Sequence, residues 1–301
     1  MADAIKMIGS GLFVFLTVFS LSNFARKNFP IGPDDGESRV LGVSTDKKYA
    51  SQSVKILEFN GSLDSFSILD EAGSMVESRN KWWWLNSGGQ FISDGNNAKT
   101  IQGEISRISP WRYMYAITNS LDTDAGTHPQ NIFRLVTRTK WKNFTQQLYF
   151  KINGDNLSES SNRNESNGVL LFNRYLDGKN IYYAGLRVDG NVVVKKKING
   201  QYYTMAIKKV FTGKYDKNTR PNLIEKNKWI GLRTNIKDIG NNNVEIVVEV
   251  DLLGGGEWSQ VIKVSDDGKS YGGSAISKEG FAGIRTDFMD VEFRDYYIKE
   301  F

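Results

Sequence analysis

The alternation of apolar and polar side chains in residues 244–251 sets the strongest limit on how this chain can fold. The apolar side chains at even positions are Val244, Ile246, Val248 and Val250, and the positions between them hold Glu245, Val247, Glu249 and Asp251. A helix would spread the apolar set around its circumference, whereas a strand places it on one face. The stretch is therefore predicted to be a β-strand with one buried side.

From Val54 onward the pattern is that of strands nearly throughout. Six further strands are predicted at Ile132–Trp141, Phe144–Ile152, Val169–Tyr175, Ile181–Val188, Val192–Ile198 and Tyr202–Ile207. Asp189-Gly190 and Asn199-Gly200 separate consecutive strands and are typical of tight hairpin turns. Phe281–Phe301 predicts two more strands. Long strands of unequal length favour an all-β antiparallel β-sandwich, or jelly roll, over a closed barrel.

The amino-terminal segment Met7–Ala25 is apolar and uncharged, and basic residues flank it on both sides. It predicts a hydrophobic helix that acts as a signal peptide or a membrane anchor. The Arg26-Lys27 pair favours keeping the carboxyl side inside a cell. Export is favoured by four Asn-x-Ser/Thr sequons, at Asn60, Asn143, Asn156 and Asn164. We predict a secreted or anchored glycoprotein, extracellular or at the cell surface, with an anchor at 1–25, a polar linker at 26–52 and one β-domain at 53–301.

The composition excludes several kinds of site and partner. The chain has no cysteine, which excludes disulfides, thiolate metal sites and a cysteine nucleophile. A net charge of +5 over 301 residues is too small to indicate nucleic acid as a partner.

Several motifs follow one another in a characteristic order. They are Asn173-Arg174-Tyr175, Tyr182-Tyr183-Ala184-Gly185-Leu186-Arg187-Val188-Asp189-Gly190, Trp229-Ile230-Gly231-Leu232-Arg233, Gly283-Ile284-Arg285-Thr286-Asp287 and Val291-Glu292-Phe293-Arg294-Asp295-Tyr296. This order, over roughly residues 50–301, resembles the concanavalin A-like lectin/glucanase superfamily, which includes laminin-G-like modules. The resemblance implies contact with glycans more than any one reaction, because a fold does not define a function.

One enzymatic function that the sequence allows is glycoside hydrolysis, with Glu249 and Asp251 as the paired carboxylates. Residues two apart on a strand lie about 6.6 Å apart, close to the roughly 5–5.5 Å of retaining enzymes. Glucanases of the resembled superfamily carry a Glu-x-Asp-x-x-Glu strand, and this chain departs from it because Val247 occupies the middle position. The alternative is a solvated outer face.

A second enzymatic reading is a lyase on an anionic polysaccharide. Such an enzyme needs a cation beside the uronate carboxylate and a His or Tyr as acid or base. The catalytic candidates are Tyr183, Arg187 and the single histidine, His128. The ligand-binding candidates are Arg134, Arg138, Gln147, Tyr149, Arg174 and Lys195. If the predicted strands around 134, 149 and 183 stack side by side, they form one basic, aromatic groove; the alternative is a set of ordinary solvated faces.

The resemblance also implies a structural calcium ion, for which Asp287 and Asp290 are carboxylates of the right type. Two groups of aromatic residues, Trp82–Trp84 and the alternating Trp111, Tyr113 and Tyr115, suit either sugar stacking or core packing.

Two functions of different classes remain open. The chain is predicted to be an extracytoplasmic carbohydrate-binding or surface module, and the alternative is a polysaccharide-degrading enzyme, a lyase more than a hydrolase. An assembly role in a cell envelope without glycan is a third reading.

Overall fold

The structure, a computed structural model, describes residues 55–62 and 68–301. The predicted hydrophobic helix and polar linker therefore lie outside the described residues. In the part of the chain that is described, no helix is long and apolar enough to cross a membrane.

The described residues form sixteen strands, one α-helix and one short 3₁₀ helix at Pro129–Asn131. The strands are β1 (Ile56–Glu58), β2 (Ile68–Asp70), β3 (Trp83–Ser87), β4 (Gln90–Ser93), β5 (Asn97–Thr100), β6 (Ile132–Trp141), β7 (Phe144–Asp155), β8 (Gly168–Asp177), β9 (Asn180–Arg187), β10 (Asn191–Ile198), β11 (Gln201–Lys209), β12 (Ile230–Asp238), β13 (Val244–Asp251), β14 (Ser259–Asp266), β15 (Gly280–Asp287) and β16 (Met289–Glu300). The helix, α1, is Pro110–Thr118.

The strands form two antiparallel sheets. One has nine strands, in the order β14-β13-β12-β7-β16-β5-β4-β2, with β1 paired to β16. The other has seven, in the order β11-β10-β9-β8-β15-β6-β3. Side chains from both sheets form one core, so the predicted all-β antiparallel sandwich is confirmed.

The prediction that β13 is a strand with one buried side is confirmed. Val244, Ile246, Val248 and Val250 are buried in the core between the sheets. The hairpin turn between β10 and β11 places Asn199 at φ 51° and Gly200 at φ 86°. These left-handed conformations match the twist of the flanking strands, and they explain the Asn-Gly pair.

The expectation of strands nearly throughout is wrong at residues 110–118, which form α1. Proline at the first helical position needs no hydrogen-bond partner for its nitrogen, and it favours a helix start. The alternating residues Trp111, Tyr113 and Tyr115 consequently do not share one face of a strand. Tyr115 is buried, whereas Tyr113 is 65% exposed.

Two buried cations join the sheets. Lys196 of β10 points between the sheets, where its ammonium lies 2.8 Å from Asp266 of β14 and donates to the Gly273 carbonyl at 2.7 Å. Arg174 of β8 is also fully buried, and it contacts Asp238 at the end of β12 at 2.8 Å.

Candidate functional site

A groove of about 510 Å³ lies on the outer face of the seven-stranded sheet. A recess of about 80 Å³ adjoins it and shares Arg134, Tyr183 and Tyr202 with it. Leu170 of β8 and Val193 of β10 contribute apolar surface to the groove, and both are buried. Side chains on the outer face of a strand stand two residues apart, and this is why the groove draws on alternate residues of each strand.

Four cations line the groove and its recess. Arg134 comes from β6, Lys195 and Lys197 from β10, and Arg285 from β15. Arg285 binds the carboxylate of Asp287 through its Nε at 2.9 Å and its Nη2 at 2.9 Å. Within residues 55–62 and 68–301, Arg134, Lys195 and Lys197 form no ion pair with a carboxylate. The groove therefore has unneutralised positive charge.

Three tyrosines accompany these cations. The Tyr183 ring lies 6.1 Å from that of Tyr202 and 5.7 Å from the guanidinium carbon of Arg285. Tyr175 of β8 belongs to the recess. The Lys197 ammonium lies 4.7 Å from the Tyr202 ring, within the range of a cation–π contact. Aromatic rings beside cations suit a sugar ring that carries a carboxylate or sulfate.

The groove shifts the pKa of its own side chains. Burial raises the pKa of Tyr183. Burial also acts to raise the pKa of Tyr202, but the charges of Arg285 and Lys197 outweigh it and the net pKa lies below the ordinary value. Burial and the charge of Arg187 lower the pKa of Lys195. Tyr202 is thus easier to ionise than an ordinary tyrosine, and its neighbour Tyr183 is harder to ionise.

One wall of the groove consists of amides from the loop between β7 and β8. Asn162, Asn164 and Asn167 line it together with Asp122. Asp122 accepts hydrogen bonds from the Ser160 hydroxyl at 2.5 Å and the Asn162 amide at 2.9 Å. The loop is thereby tied to the segment before β6, and its amides are held at the groove.

The structure brings the predicted ligand-binding residues Arg134 and Lys195 and the predicted catalytic residue Tyr183 together at this groove, and it places the other residues predicted for ligand binding or catalysis elsewhere. Arg138 donates to the backbone carbonyls of Asn80 at 2.7 Å and Ser78 at 3.4 Å. Arg174 is buried between the sheets. Arg187 is buried beside the groove and is held by Asp189 at 2.8 Å.

Gln147 and Tyr149 lie on the opposite side of the molecule. The predicted stacking of the strands around 134, 149 and 183 is wrong, because β7 belongs to the nine-stranded sheet and β6 and β9 to the other. Glu249 is on the same face as Gln147, where it lies 3.5 Å from Arg233. Asp251 accepts hydrogen bonds from the Tyr149 hydroxyl and from the amides of the glycine turn that follows β13. Donors thus surround Asp251 and lower its pKa against the opposing effect of burial.

His128 lies just before the 3₁₀ helix. Its Nδ1 is 3.0 Å from Asp124 and 2.9 Å from the Thr127 hydroxyl. Asp124 also accepts a hydrogen bond from Asn131 at 3.2 Å. These contacts hold the loop before β6, and His128 is not among the residues that line the groove.

Asp287 and Asp290 do not fit a calcium site. Asp287 is paired with Arg285. Asp290 accepts hydrogen bonds from the side-chain amides of Gln130 at 2.9 Å and Asn156 at 3.0 Å, and from the Gly103 amide at 2.7 Å. A cation there would face three N–H groups in place of oxygen ligands. No three His, Cys, Asp or Glu side chains in the described ranges are grouped so that they could hold a metal.

Tyr202, Lys197 and Arg285 line the groove or its recess, and none of them was predicted from the sequence. The signal for the first two was present: Lys195 and Lys197 share a strand face, and the Asn-Gly turn pairs Lys197 with Tyr202. Arg285 required the sheet order, because β15 lies between β8 and β6 although it is far from both in sequence.

These observations define an antiparallel β-sandwich with a cationic, tyrosine-lined groove on its seven-stranded sheet. No protein-family model matches the chain, and no curated protein sequence matches it. Among solved structures, it is similar to the carbohydrate binding module CBM66 from Bacillus subtilis, with 18% identity, a TM-score of 0.37, and coverage of 56% of this chain and 81% of that one.

It is also similar to the exoplasmic/lumenal domain of VIP36 in a Ca²⁺/Man-bound form, with 10% identity, a TM-score of 0.39, and coverage of 77% and 88%. A third match is the GH43 protein BlXynB from Bacillus licheniformis, with 12% identity and a TM-score of 0.38; it covers 73% of this chain and only 37% of that protein. At these TM-scores the likeness carries no argument about this chain, and the function has to be argued from the groove.

Proposed function

We propose that the groove binds an acidic polysaccharide and that the chain is an exported or surface-anchored carbohydrate-binding protein. This proposal rests on the groove cations that have no carboxylate partner among the described residues. These cations lie beside the rings of Tyr183 and Tyr202. A uronate or sulfate group would neutralise the cations, and a sugar ring would lie against the tyrosines. The amides of Asn162, Asn164 and Asn167 offer donors and acceptors to sugar hydroxyls.

The test is a calorimetric titration of the full chain, kept in mild detergent, with hexagalacturonate. Arg134→Gln and Lys195→Gln should each lower the affinity on the order of tenfold, since each removes a charge-assisted hydrogen bond. Lys237→Gln, on the outer face of the other sheet, is the matched control and should bind like the unmodified chain. Equal affinity in all four proteins would reject the groove as the binding site.

A second candidate function is β-elimination on the same polymer, and the lowered pKa of Tyr202 favours it. As the phenolate, Tyr202 would remove the proton beside the uronate carboxylate, and Tyr183 would donate a proton to the departing glycosidic oxygen. Arg134 would neutralise the carboxylate. The C–O bond breaks as the C=C bond forms, so no oxidant or cofactor is needed.

Appearance of unsaturated ends, measured by ultraviolet absorbance, distinguishes the two functions. If the chain is an enzyme, the unmodified chain forms unsaturated product, at a rate that rises with pH as Tyr202 ionises. Tyr202→Phe then loses product formation and retains the binding of hexagalacturonate. Tyr202 is 52% exposed, so this substitution leaves the core intact. Binding without unsaturated product would leave the binding protein as the function.

A further inference from the structure

The outer face of the nine-stranded sheet contains a separate depression of about 250 Å³. Its lining includes Thr145, Gln147, Arg233, Asn235, Glu249 and Tyr297. These residues come from neighbouring strands: Gln147 lies opposite Arg233 and Tyr297, and Arg233 lies opposite Glu249. The sandwich thus presents polar, concave surfaces on both of its outer faces.

Hydrogen bonds between the lining residues orient them in advance. Arg233 Nε donates to Gln147 Oε1 at 2.9 Å, and Asn235 Nδ2 donates to Glu249 Oε2 at 3.2 Å. The Thr145 hydroxyl donates to Asn235 Oδ1. Among the described residues, these bonds leave the Gln147 amide nitrogen and one Glu249 carboxylate oxygen for a ligand.

An indole forms a platform beside this depression. The guanidinium carbon of Arg233 lies 3.9 Å from the centroid of the Trp258 ring, and the Tyr149 ring is 5.5 Å from it. Beneath the indole is Gly231, where a Cβ atom would lie 2.7 Å from Trp258. Only glycine leaves room for the indole to lie on the sheet, so the platform and Arg233 have fixed positions.

Carboxylates balance the Arg233 and Lys151 cations on this face, whereas Lys299, which also lines the depression, forms no ion pair within residues 55–62 and 68–301. Arg233 is 3.5 Å from Glu249, and Lys151 is 2.7 Å from Glu292. Further along the sheet, Glu245 pairs with Lys237 at 3.1 Å and Lys263 at 3.0 Å. An acidic ligand would have to compete with these carboxylates, whereas an uncharged one would not.

We infer that this depression is a second saccharide-binding site and that its ligand is a neutral glycan. A sugar hydroxyl both donates and accepts, and the adjacent guanidinium, amide and carboxylate groups match pairs of such hydroxyls. The inference does not depend on the groove, because the two surfaces lie on different sheets and share no residue.

The probes are cellohexaose and xylohexaose, titrated calorimetrically into the full chain. At least one should bind. Gln147→Leu removes the amide at similar volume, and Arg233→Lys keeps the charge but loses the planar fork. Each should lower the affinity for the neutral probe about tenfold. Lys237→Gln lies on the same face of β12, and Arg134→Gln lies in the groove; both should leave that affinity unchanged.

Thermal unfolding of each variant shows that the fold is kept. Two results would overturn the inference: neither neutral probe binds, or binding is lost in Arg134→Gln and retained in Gln147→Leu and Arg233→Lys. Loss of hexagalacturonate binding in the groove variants, with neutral binding kept, supports both sites. Failure of hexagalacturonate to bind at all rejects the groove proposal and leaves this one standing.

Discussion

Both outer faces of the sandwich carry basic and aromatic side chains, but the faces differ in how many of the cations have a carboxylate beside them. On the seven-stranded sheet, Arg134, Lys195 and Lys197 stand beside tyrosines without carboxylate partners in the described chain. On the nine-stranded sheet, Lys151 and Arg233 are each matched by a glutamate on the adjacent strand. A count of basic and aromatic residues therefore does not locate an anion site, because the decisive factor is which cations remain unpaired.

The largest difference in stability is expected between variants of the adjacent lysines Lys195 and Lys196. Lys195 faces the groove, and Lys196 is fully buried against Asp266, which also accepts a hydrogen bond from Tyr182 at 2.6 Å. Lys196→Ala should lower the free energy of unfolding by about 3–5 kcal/mol, because it leaves Asp266 buried and uncompensated. Lys195→Ala should change it by no more than about 0.5 kcal/mol. Urea unfolding measures both, and equal losses would contradict the assignment of the two side chains to opposite faces.

A substitution at Gly231 is expected to disturb the packing and binding of the nine-stranded face alone. Gly231→Ala places a methyl group 2.7 Å from Trp258 and 3.0 Å from Tyr149. We expect a loss of about 1–3 kcal/mol of unfolding free energy from overpacking, together with weaker binding of the neutral hexasaccharide and unchanged binding of hexagalacturonate. Gly255→Ala is the control, because none of the described residues has an atom within 4 Å of its Cβ position. An unchanged neutral affinity in Gly231→Ala would show that the Trp258 platform takes no part in binding.

Glu71 gives an expected effect on stability whose size depends on pH. It lies beneath α1, where it accepts hydrogen bonds from the Tyr115 hydroxyl at 2.5 Å and the Gly89 amide at 2.9 Å. Burial raises its pKa from 4.5 to about 7, although these hydrogen bonds oppose the shift. The stability that comes from the protonated group is complete below pH 4.5 and is lost as the pH rises through about 7.

Glu71→Gln should therefore leave the melting temperature unchanged near pH 4 and raise it at pH 8. For a chain of this size, 1 kcal/mol corresponds to roughly 2–4 °C. Glu77→Gln, an exposed neighbour, should show no such dependence on pH. A gain at pH 4 equal to that at pH 8 would contradict the raised pKa.

Much of the architecture was predictable from local pattern. The bounds of β6 and β13 are those that the alternation gave, and the Asn-Gly turn is where the sequence put it. The helix α1 was missed because three aromatic residues at alternate positions imitate a strand. The packing of Tyr115 against the turn at Gly88, whose amide donates to the tyrosine hydroxyl at 2.9 Å, is a tertiary contact that no local pattern contains.

The candidate site was predicted in part. Arg134, Tyr183 and Lys195 were found because they are polar residues on the outer faces of recognisable strands. Gln147 and Tyr149 satisfied the same rule, yet they lie across the molecule, because strand order is decided by pairing between distant segments. Arg174 satisfied it as well, but a local φ of 52° turns it into the interior.

The local order of residues is enough to specify strands with one apolar face, since the period of two is a property of each strand alone. It also determined where the hairpins turn, because left-handed backbone favours Asn and Gly. Which polar faces meet and which charges are neutralised depends on the tertiary structure. Those outcomes depend on contacts between strands far apart in sequence, and the same arginine or lysine is a site residue when unpaired and a structural one when a carboxylate lies beside it.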